Sequence, residues 1–188
     1  MSLGSTTVTA LLDALASRTP TPGGGAAAAI AAALGCAAGA MAARYTSGPK
    51  HAAVADDAQR FAAVLTHAAH DCARLGDADA LAYAAVTAAR QAKDAVAIAT
   101  AERGAGAVPA DLLALCALHA AGLAGFIALS NPWLVSDVKV GIHLLAGAGR
   151  AAWQTLLVNN PGTDVRAVAA AHLNALAEAE RLALGAGA

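Results

Sequence analysis

The sequence predicts an all-α protein, an antiparallel multi-helix bundle with long, Ala-rich buried helices. Hydrophobic residues make up 58% of the 188 residues, aromatic residues only 3%, and most of the apolar share is alanine. Alanine has the highest helix propensity, and no segment shows the alternation of a half-buried strand. Short connections between long helical segments favour antiparallel neighbours. We expect one domain over residues 1–188.

Three helices are predicted in the first part of the chain. The first covers residues 7–16, where leucines share one face. The second is a long buried helix over residues 24–45, which follows an extended entry rich in proline and glycine. The third covers residues 51–75 and stops near Gly76, because glycine commonly ends a helix.

Four more helices are predicted in the rest of the chain. Asp77 is suited to cap a fourth helix that continues to Glu102. The segment over residues 104–109 contains two glycines and a proline, so we interpret it as a linker. The remaining helices are predicted over residues 109–129, 136–159 and 163–184, the last of them capped by Thr163 or Asp164.

Composition narrows the classes of function. A net charge of −1 gives no indication of nucleic-acid binding. Residues 23–43 and 112–129 are apolar and near the length of a membrane span, but they lack aromatic and basic flanks, so we expect buried helices and no membrane. The three cysteines are widely spaced and form no Cys-x-x-Cys pair, which favours a reducing, cytoplasmic location.

The most informative motif is the run of three glycines, Gly23, Gly24 and Gly25, at the start of the second helix. Glycine is a poor helix former, so this run indicates that something must approach the backbone closely. The free N–H groups of a helix start attract anions, which suggests a binding site. The alternative is a tight turn followed by close helix packing.

A second motif combines two carboxylates and a tyrosine. Asp79 and Tyr83 are four residues apart and share a helix face. A carboxylate among alanines is poorly solvated, so its pKa can be raised toward the range that suits a general base. The alternative is that Asp77 caps the helix, Asp79 complements its dipole and Tyr83 lies in the core.

Two weaker polar groups flank predicted turns. Arg44 and Lys50 surround the Ser-Gly-Pro turn and could bind an acidic ligand, or they could be ordinary solvated residues. Asn131 and Asp137 form another polar group, whose alternative reading is a loop and a helix cap. A metal site is not expected, because His67 and His70 have no clear third ligand.

Together these motifs resemble the cyclodeaminase domain of formiminotransferase-cyclodeaminase, which also occurs alone as methenyltetrahydrofolate cyclohydrolase in some bacteria. The resemblance spans residues 11–160. It is carried, in order, by Thr19–Gly25 before an Ala-rich helix, the Gly48-Pro49-Lys50 turn, Asp79–Tyr83, Asn131 and Ser136-Asp137.

The resemblance implies an all-α enzyme of folate one-carbon metabolism that forms a homodimer through long helices. It would hydrolyse 5,10-methenyltetrahydrofolate or cyclise formiminotetrahydrofolate with release of ammonia, without a metal or redox cofactor. Asp79 matches the catalytic aspartate of the family. Lys50, Arg44 and the amides of Gly23–Gly25 would anchor the anionic glutamate tail of the folate, with Tyr83, Asn131 and Asp137 as further substrate-binding residues.

The alternative function is a non-catalytic helical oligomerisation or folate-binding module of the same fold. Its support is the high alanine content and a turn around Lys50 that is less basic than is usual in the family.

Overall fold

A computed structural model describes residues 2–185, and the predicted domain limits at residues 1 and 188 lie outside this range. These residues form helices and no strand, which confirms the all-α prediction. The six α-helices are α1 (Val8–Ala16), α2 (Gly24–Arg44), α3 (Ala55–Ala92), α4 (Ala95–Phe126), α5 (Val135–Val158) and α6 (Thr163–Gly185). Short 3₁₀ turns cover Leu3–Ser5, Pro49–His51 and Pro132–Leu134.

Helix α2 packs between α3 and α5, α4 packs on both of these helices, and α6 packs on α4 and α5. Small residues allow these close approaches. A Cβ added at either Gly35 of α2 or Gly141 of α5 would lie 2.9 Å from the carbonyl oxygen of the other glycine. The backbones of the two helices are therefore in direct contact, as the alanine-rich composition predicts.

The break between α3 and α4 lies elsewhere than the sequence predicts. Helix α3 runs without interruption through Gly76 and Asp77. Gly76 is buried, and a Cβ there would overlap the side chain of Leu3, so this glycine serves packing and does not end the helix. The chain turns at Lys93, whose φ is 56°, and Asp94 caps α4 by accepting from the N–H groups of Val96 and Ala97.

The predicted linker over residues 104–109 is also wrong, because these residues lie inside α4. Pro109 has no N–H to donate to the carbonyl of Ala105, four residues earlier. The side-chain amide of Asn159 supplies the missing donor, with Nδ2 3.4 Å from that oxygen. Tertiary contact therefore lets a proline-containing segment stay helical.

Two helices, α2 and α4, are long and apolar enough to cross a membrane by length and composition, which is weak evidence in a helical bundle. About half of each apolar window is buried inside the protein, 56% in α2 and 44% in α4. The prediction that residues 23–43 form a helix buried by other helices holds for one side of α2. The other side exposes an uncharged stripe that includes Ala27, Leu34, Ala37 and Met41.

Candidate active site

The glycine run and Asp79 meet where α2 begins. Helix α2 starts at Gly24, and its cap residue, Gly23, contributes no side-chain hydrogen bond. The carboxylate of Asp79, from the middle of α3, lies against Gly25 so closely that a Cβ on Gly25 would overlap it. Position 25 must therefore be glycine, because the Asp79 carboxylate lies where a side chain would be. This agrees with the interpretation that the glycine run lets another group come close to the backbone.

Asp79 is half-buried, and burial raises its pKa above the ordinary value for aspartate. Within residues 2–185, no group donates a hydrogen bond to its carboxylate. A poorly solvated carboxylate without donors holds a proton more readily than a solvated one. The carboxylate lies at the start of α2, where the free N–H groups of the helix attract anions.

Asp77 has a different environment, although it is only two residues away. It lies inside α3 and caps no helix, so that prediction is wrong. Its carboxylate accepts from the Ser2 hydroxyl at 2.9 Å and from the Leu3 N–H at 2.8 Å. Asp77 therefore holds the first 3₁₀ turn against α3, and the two carboxylates have separate roles.

Two further groups border the start of α2. Tyr83 lies one turn beyond Asp79 on the same face of α3 and is 49% exposed, so it is not a core residue. Thr155, near the end of α5, lies on the other side, with its methyl group 3.8 Å from the Cβ position of Gly24. We call Gly23, Gly24, Gly25, Asp79 and Tyr83 the glycine-end cluster.

The other predicted site residues gather at the far end of α2. Asn131 donates from its backbone N–H to Thr46 Oγ1 at 3.0 Å and from its side chain to the carbonyl of Tyr45 at 3.1 Å. Arg44 donates to the Thr66 hydroxyl at 2.9 Å. The two hydrogen bonds of Asn131 attach the turn before α5 to the end of α2, and the hydrogen bond of Arg44 attaches the end of α2 to α3. The fully buried Thr46 is a connecting residue that the sequence analysis did not single out.

Lys50 and Asp137 lie at the same end. Lys50 is exposed in the 3₁₀ turn that follows α2, and Asp137 lies in the first turn of α5. We call Arg44, Lys50, Asn131 and Asp137 the basic-end cluster. Since α2 has 21 residues, the two clusters lie about 30 Å apart. Within a single chain, Lys50 therefore does not share a cleft with Gly23–Gly25 and Asp79, so a common folate site, as the resemblance implies, stays a prediction that requires two copies of the chain.

A cavity of about 520 Å³ lies beyond the glycine end of the bundle. Its walls include Val86 and Arg90 of α3, Arg103 and Gly106 of α4, and Asn159. The sequence does not predict this cavity, because the glycines and the proline in residues 104–109, which form part of the wall, indicate a linker. No local sequence pattern shows that this proline-containing segment is helical, because the amide that replaces the missing N–H comes from Asn159, which is distant in the sequence.

Within residues 2–185, no group of three or more His, Cys, Asp or Glu side chains could hold a metal ion. His67 and Asp71 approach to 3.5 Å on the surface of α3 and lack a third ligand. The three cysteines are fully buried. Burial raises the pKa of the Cys116 thiol, so it is a poor nucleophile.

The fold is similar to that of formiminotetrahydrofolate cyclodeaminase from Thermotoga maritima, with a TM-score of 0.81 and 24% sequence identity over 97% of this chain and 92% of that one. A comparison with curated protein sequences gave no match. The family model for formiminotransferase-cyclodeaminase matches residues 7–178. This chain therefore belongs to the formiminotransferase-cyclodeaminase family.

Proposed function

We propose that this protein is a folate one-carbon enzyme with its reaction centre at the glycine-end cluster. It either hydrolyses 5,10-methenyltetrahydrofolate to 10-formyltetrahydrofolate or cyclises formiminotetrahydrofolate with release of ammonia. Family membership supports the substrate class. The observation that carries the proposal is the half-buried Asp79 carboxylate, which has a raised pKa and lies against Gly25.

In the hydrolytic direction, the substrate carries a cationic amidinium carbon between N5 and N10. Asp79 accepts a proton from a water molecule as the water oxygen bonds to that carbon. The tetrahedral intermediate then breaks its bond to N5, which takes up the proton held by Asp79. The hydroxyl proton is released to solvent as the carbon–oxygen double bond of the formyl group forms on N10. A carboxylate suits both tasks, because its charge stabilises the cation and its raised pKa helps it accept a proton.

Cyclisation uses a similar tetrahedral centre. N10 attacks the carbon of the protonated formimino group that N5 carries and loses its proton to Asp79. The amino group that results takes up that proton from Asp79 and leaves as ammonia, which yields the methenyl cation. Because one carboxylate can move the proton in either reaction, the position of Asp79 is compatible with both.

We also propose that the active unit is a homodimer. The exposed stripe of α2 is uncharged and apolar, with Leu34 57% exposed and Met41 39% exposed, and a second copy of α2 would cover it. A two-fold axis across the middle of α2 makes the two copies antiparallel. Each basic-end cluster would then lie beside the glycine-end cluster of the other copy, where Arg44 and Lys50 would meet an anionic substrate.

The decisive experiment compares Asp79→Asn with Asp77→Asn. Asn keeps the size of the side chain but removes its charge and basicity, so Asp79→Asn should lower turnover about a hundredfold or more on the substrate that the wild type uses. Asp77→Asn should have a far smaller effect, because Asp77 holds the first 3₁₀ turn. Both folates are assayed in parallel. Near-wild-type turnover of Asp79→Asn would contradict the assignment, and Asp137 would be tested next.

A further inference from the structure

Helices α3 and α4 present an exposed face that is separate from the stripe of α2. We call the exposed side of residues 57–74 and 114–129 the α3–α4 face. Residues 112–129 contain no Asp, Glu, Lys or Arg. Two large apolar side chains project from the α4 part of this face, since Leu118 is 64% exposed and Leu129 is 48% exposed. They are eleven residues apart, which is about three helical turns, so they lie on the same side of α4.

Two hollows between α3 and α4 accompany these leucines. A hollow of about 230 Å³ lies beside Phe61 and is bordered by Leu129 and Gly125. A more open groove of about 590 Å³ is bordered by Leu118 and Ala114. The face therefore carries two protruding side chains and two hollows that are lined by small residues.

The protrusions and the hollows are placed so that two copies of the face fit each other. When a helix pairs with an antiparallel copy of itself, two positions lie opposite each other if their numbers add to one constant. The numbers of Leu118 and Gly125 add to 243, and so do those of Leu129 and Ala114. A two-fold axis near Ala121 would therefore place each leucine of one copy over a small residue of the other copy, beside a hollow.

The charges on the α3 part of the face follow the same symmetry. Within the chain, Arg60 forms an ion pair with Asp57, and Arg74 forms one with Asp71. For an axis between residues 65 and 66, Asp57 would lie opposite Arg74 of the second copy. Arg60 would likewise lie opposite Asp71 of the second copy. An antiparallel copy therefore brings opposite charges together, whereas a parallel copy in the same register would place each charge opposite its own kind.

One axis can serve both helices. The apolar pairs are centred between residues 121 and 122 of α4, and the charged pairs are centred between residues 65 and 66 of α3. Leu65 and Leu123 approach the same point of α2, because a Cβ on Gly39 would lie 3.2 Å from Leu65 and 2.5 Å from Leu123. The two centres are therefore at nearly the same level along the bundle. The apolar and the charged pairs can form in the same complex.

We propose that the α3–α4 face binds the same face of a second copy of this chain, antiparallel, around a two-fold axis near Ala121. The inference goes beyond the proposed function and does not depend on it. Together with the proposed dimer through α2, this contact would join dimers into larger assemblies. Each copy contributes only two large apolar side chains, and surface ion pairs contribute little, so we expect a weak contact with a Kd on the order of 100 µM.

The first test uses the Leu34→Glu background, in which the stripe of α2 is blocked and only the α3–α4 face can associate. In sedimentation equilibrium, the mass should rise from that of a monomer at about 5 µM toward that of a dimer at about 500 µM. Adding Leu118→Glu should abolish this rise, because the charge would enter the hollow beside Gly125. Val96→Glu is the matched control, since Val96 is 77% exposed near the other end of α4, and it should leave the rise unchanged.

Charge reversal in the same background tests the register. Asp57→Arg would place an arginine opposite Arg74 of the second copy, and the Kd should rise about tenfold. Asp57→Arg combined with Arg74→Glu restores opposite charges across the axis, so the Kd should return to within about twofold of its starting value. The double variant breaks both ion pairs within the chain, so the rescue would have to come from the contact between copies. Equal weakening in the single and double variants would overturn the pairing.

Cross-linking locates the axis in the otherwise unchanged protein, whose own cysteines are fully buried. Ala121→Cys places an exposed thiol beside the axis, and a short bismaleimide should join two copies through it. Ala177→Cys is the control, because position 177 is exposed on α6, and it should give far less covalent dimer. Equal yields from the two variants would overturn the proposed axis.

Two further outcomes would overturn the interface as a whole. One is a mass of the Leu34→Glu variant that stays constant up to 500 µM. The other is binding of the protein to phosphatidylcholine vesicles that Leu118→Glu removes, without any association in solution, because a membrane would then cover this face in place of a second copy.

Discussion

The carboxylate of Asp79 occupies the space that a side chain at position 25 would need. Any Cβ at Gly25 overlaps it, so the glycine at the start of α2 and the aspartate in the middle of α3 are coupled through direct contact. The two residues are 54 positions apart in the sequence, and their contact explains why position 25 is a glycine.

The first prediction concerns this contact. Gly25→Ala should displace Asp79 and destabilise the fold by about 1–3 kcal/mol, as overpacking does. Turnover should fall well below that of the wild type even at temperatures where the variant is fully folded, because the carboxylate has moved. Thermal unfolding and steady-state kinetics on the same samples separate the two effects.

Gly24→Ala is the matched control for this prediction. A Cβ at Gly24 would make only ordinary contact with the Thr155 methyl group, at 3.8 Å. Alanine also favours a helix over glycine by up to about 1 kcal/mol, so this variant should be as stable as the wild type or more stable, and it should stay active. A similar loss of activity in both variants would indicate that the whole glycine run, and not the contact with Asp79, is required.

The second prediction follows from the raised pKa of Asp79. A carboxyl group whose pKa is higher in the folded state than in the unfolded state binds protons more readily when folded, so its charged form opposes folding at neutral pH. Asp79→Asn should therefore raise the melting temperature at pH 7. The gain should shrink as the pH falls through the folded pKa and disappear below the ordinary pKa of aspartate.

Urea or thermal unfolding of Asp79→Asn and the wild type across that range measures this difference. Asp77→Asn is the control, because the Asp77 carboxylate has two donors and its replacement should not stabilise the protein. A lower melting temperature for Asp79→Asn at pH 7 would contradict this account. The activity of the wild type should decline over the same acidic range, since the general base must be deprotonated.

The helices with clear local signals were predictable from the sequence. Helix α2 begins at the glycine run and ends before the Ser-Gly-Pro turn, while α5 and α6 begin close to the predicted positions. The turn between α3 and α4 was missed even though Asp94 is a good cap residue. The glycines at positions 76, 104 and 106 give a stronger breaking signal. In the folded protein Gly76 serves close packing against Leu3, a partner distant in the sequence, and Gly104 and Gly106 lie inside α4.

The site was predictable in its parts and not in its arrangement. Gly25 and Asp79 were both singled out, but their contact depends on the register between α2 and α3, which no local pattern specifies. The resemblance implies that Lys50 and the glycine run serve one substrate, but the sequence does not show that they lie at opposite ends of α2 within a chain. The cavity beside Arg103 was missed, because it follows from the different lengths of neighbouring helices.

The third prediction tests why Pro109 is tolerated inside α4. Asn159→Ala should leave the carbonyl of Ala105 without a partner and cost about 1–2 kcal/mol. In a Pro109→Ala background, the restored N–H can bond that carbonyl, so the same Asn159→Ala change should cost less. A double-mutant cycle of urea unfolding energies measures this coupling. Equal costs in the two backgrounds would mean that Asn159 acts only through its bond to Thr155.

The fourth prediction concerns the exposed stripe of α2. Leu34→Glu places a charge at the centre of the proposed interface and should convert a dimer into a monomer at micromolar concentration, as measured by light scattering. Leu118→Glu is the control, because Leu118 is 64% exposed on α4, away from this stripe. A wild type that is already monomeric would overturn the proposed homodimer, and dissociation by Leu118→Glu alone would move the interface to α4.

Subunit mixing then tests whether the two ends of α2 cooperate across the dimer. Asp79→Asn is defective at the glycine end, and the double variant Arg44→Ala, Lys50→Ala is defective at the basic end. If each site combines the glycine end of one copy with the basic end of the other, a heterodimer of these variants has one site with both defects and one with neither. Random mixing of equal amounts should therefore restore about one quarter of the wild-type activity. If each site lies within one copy, every site in the mixture carries one defect, and mixing restores no activity beyond that of the separate variants.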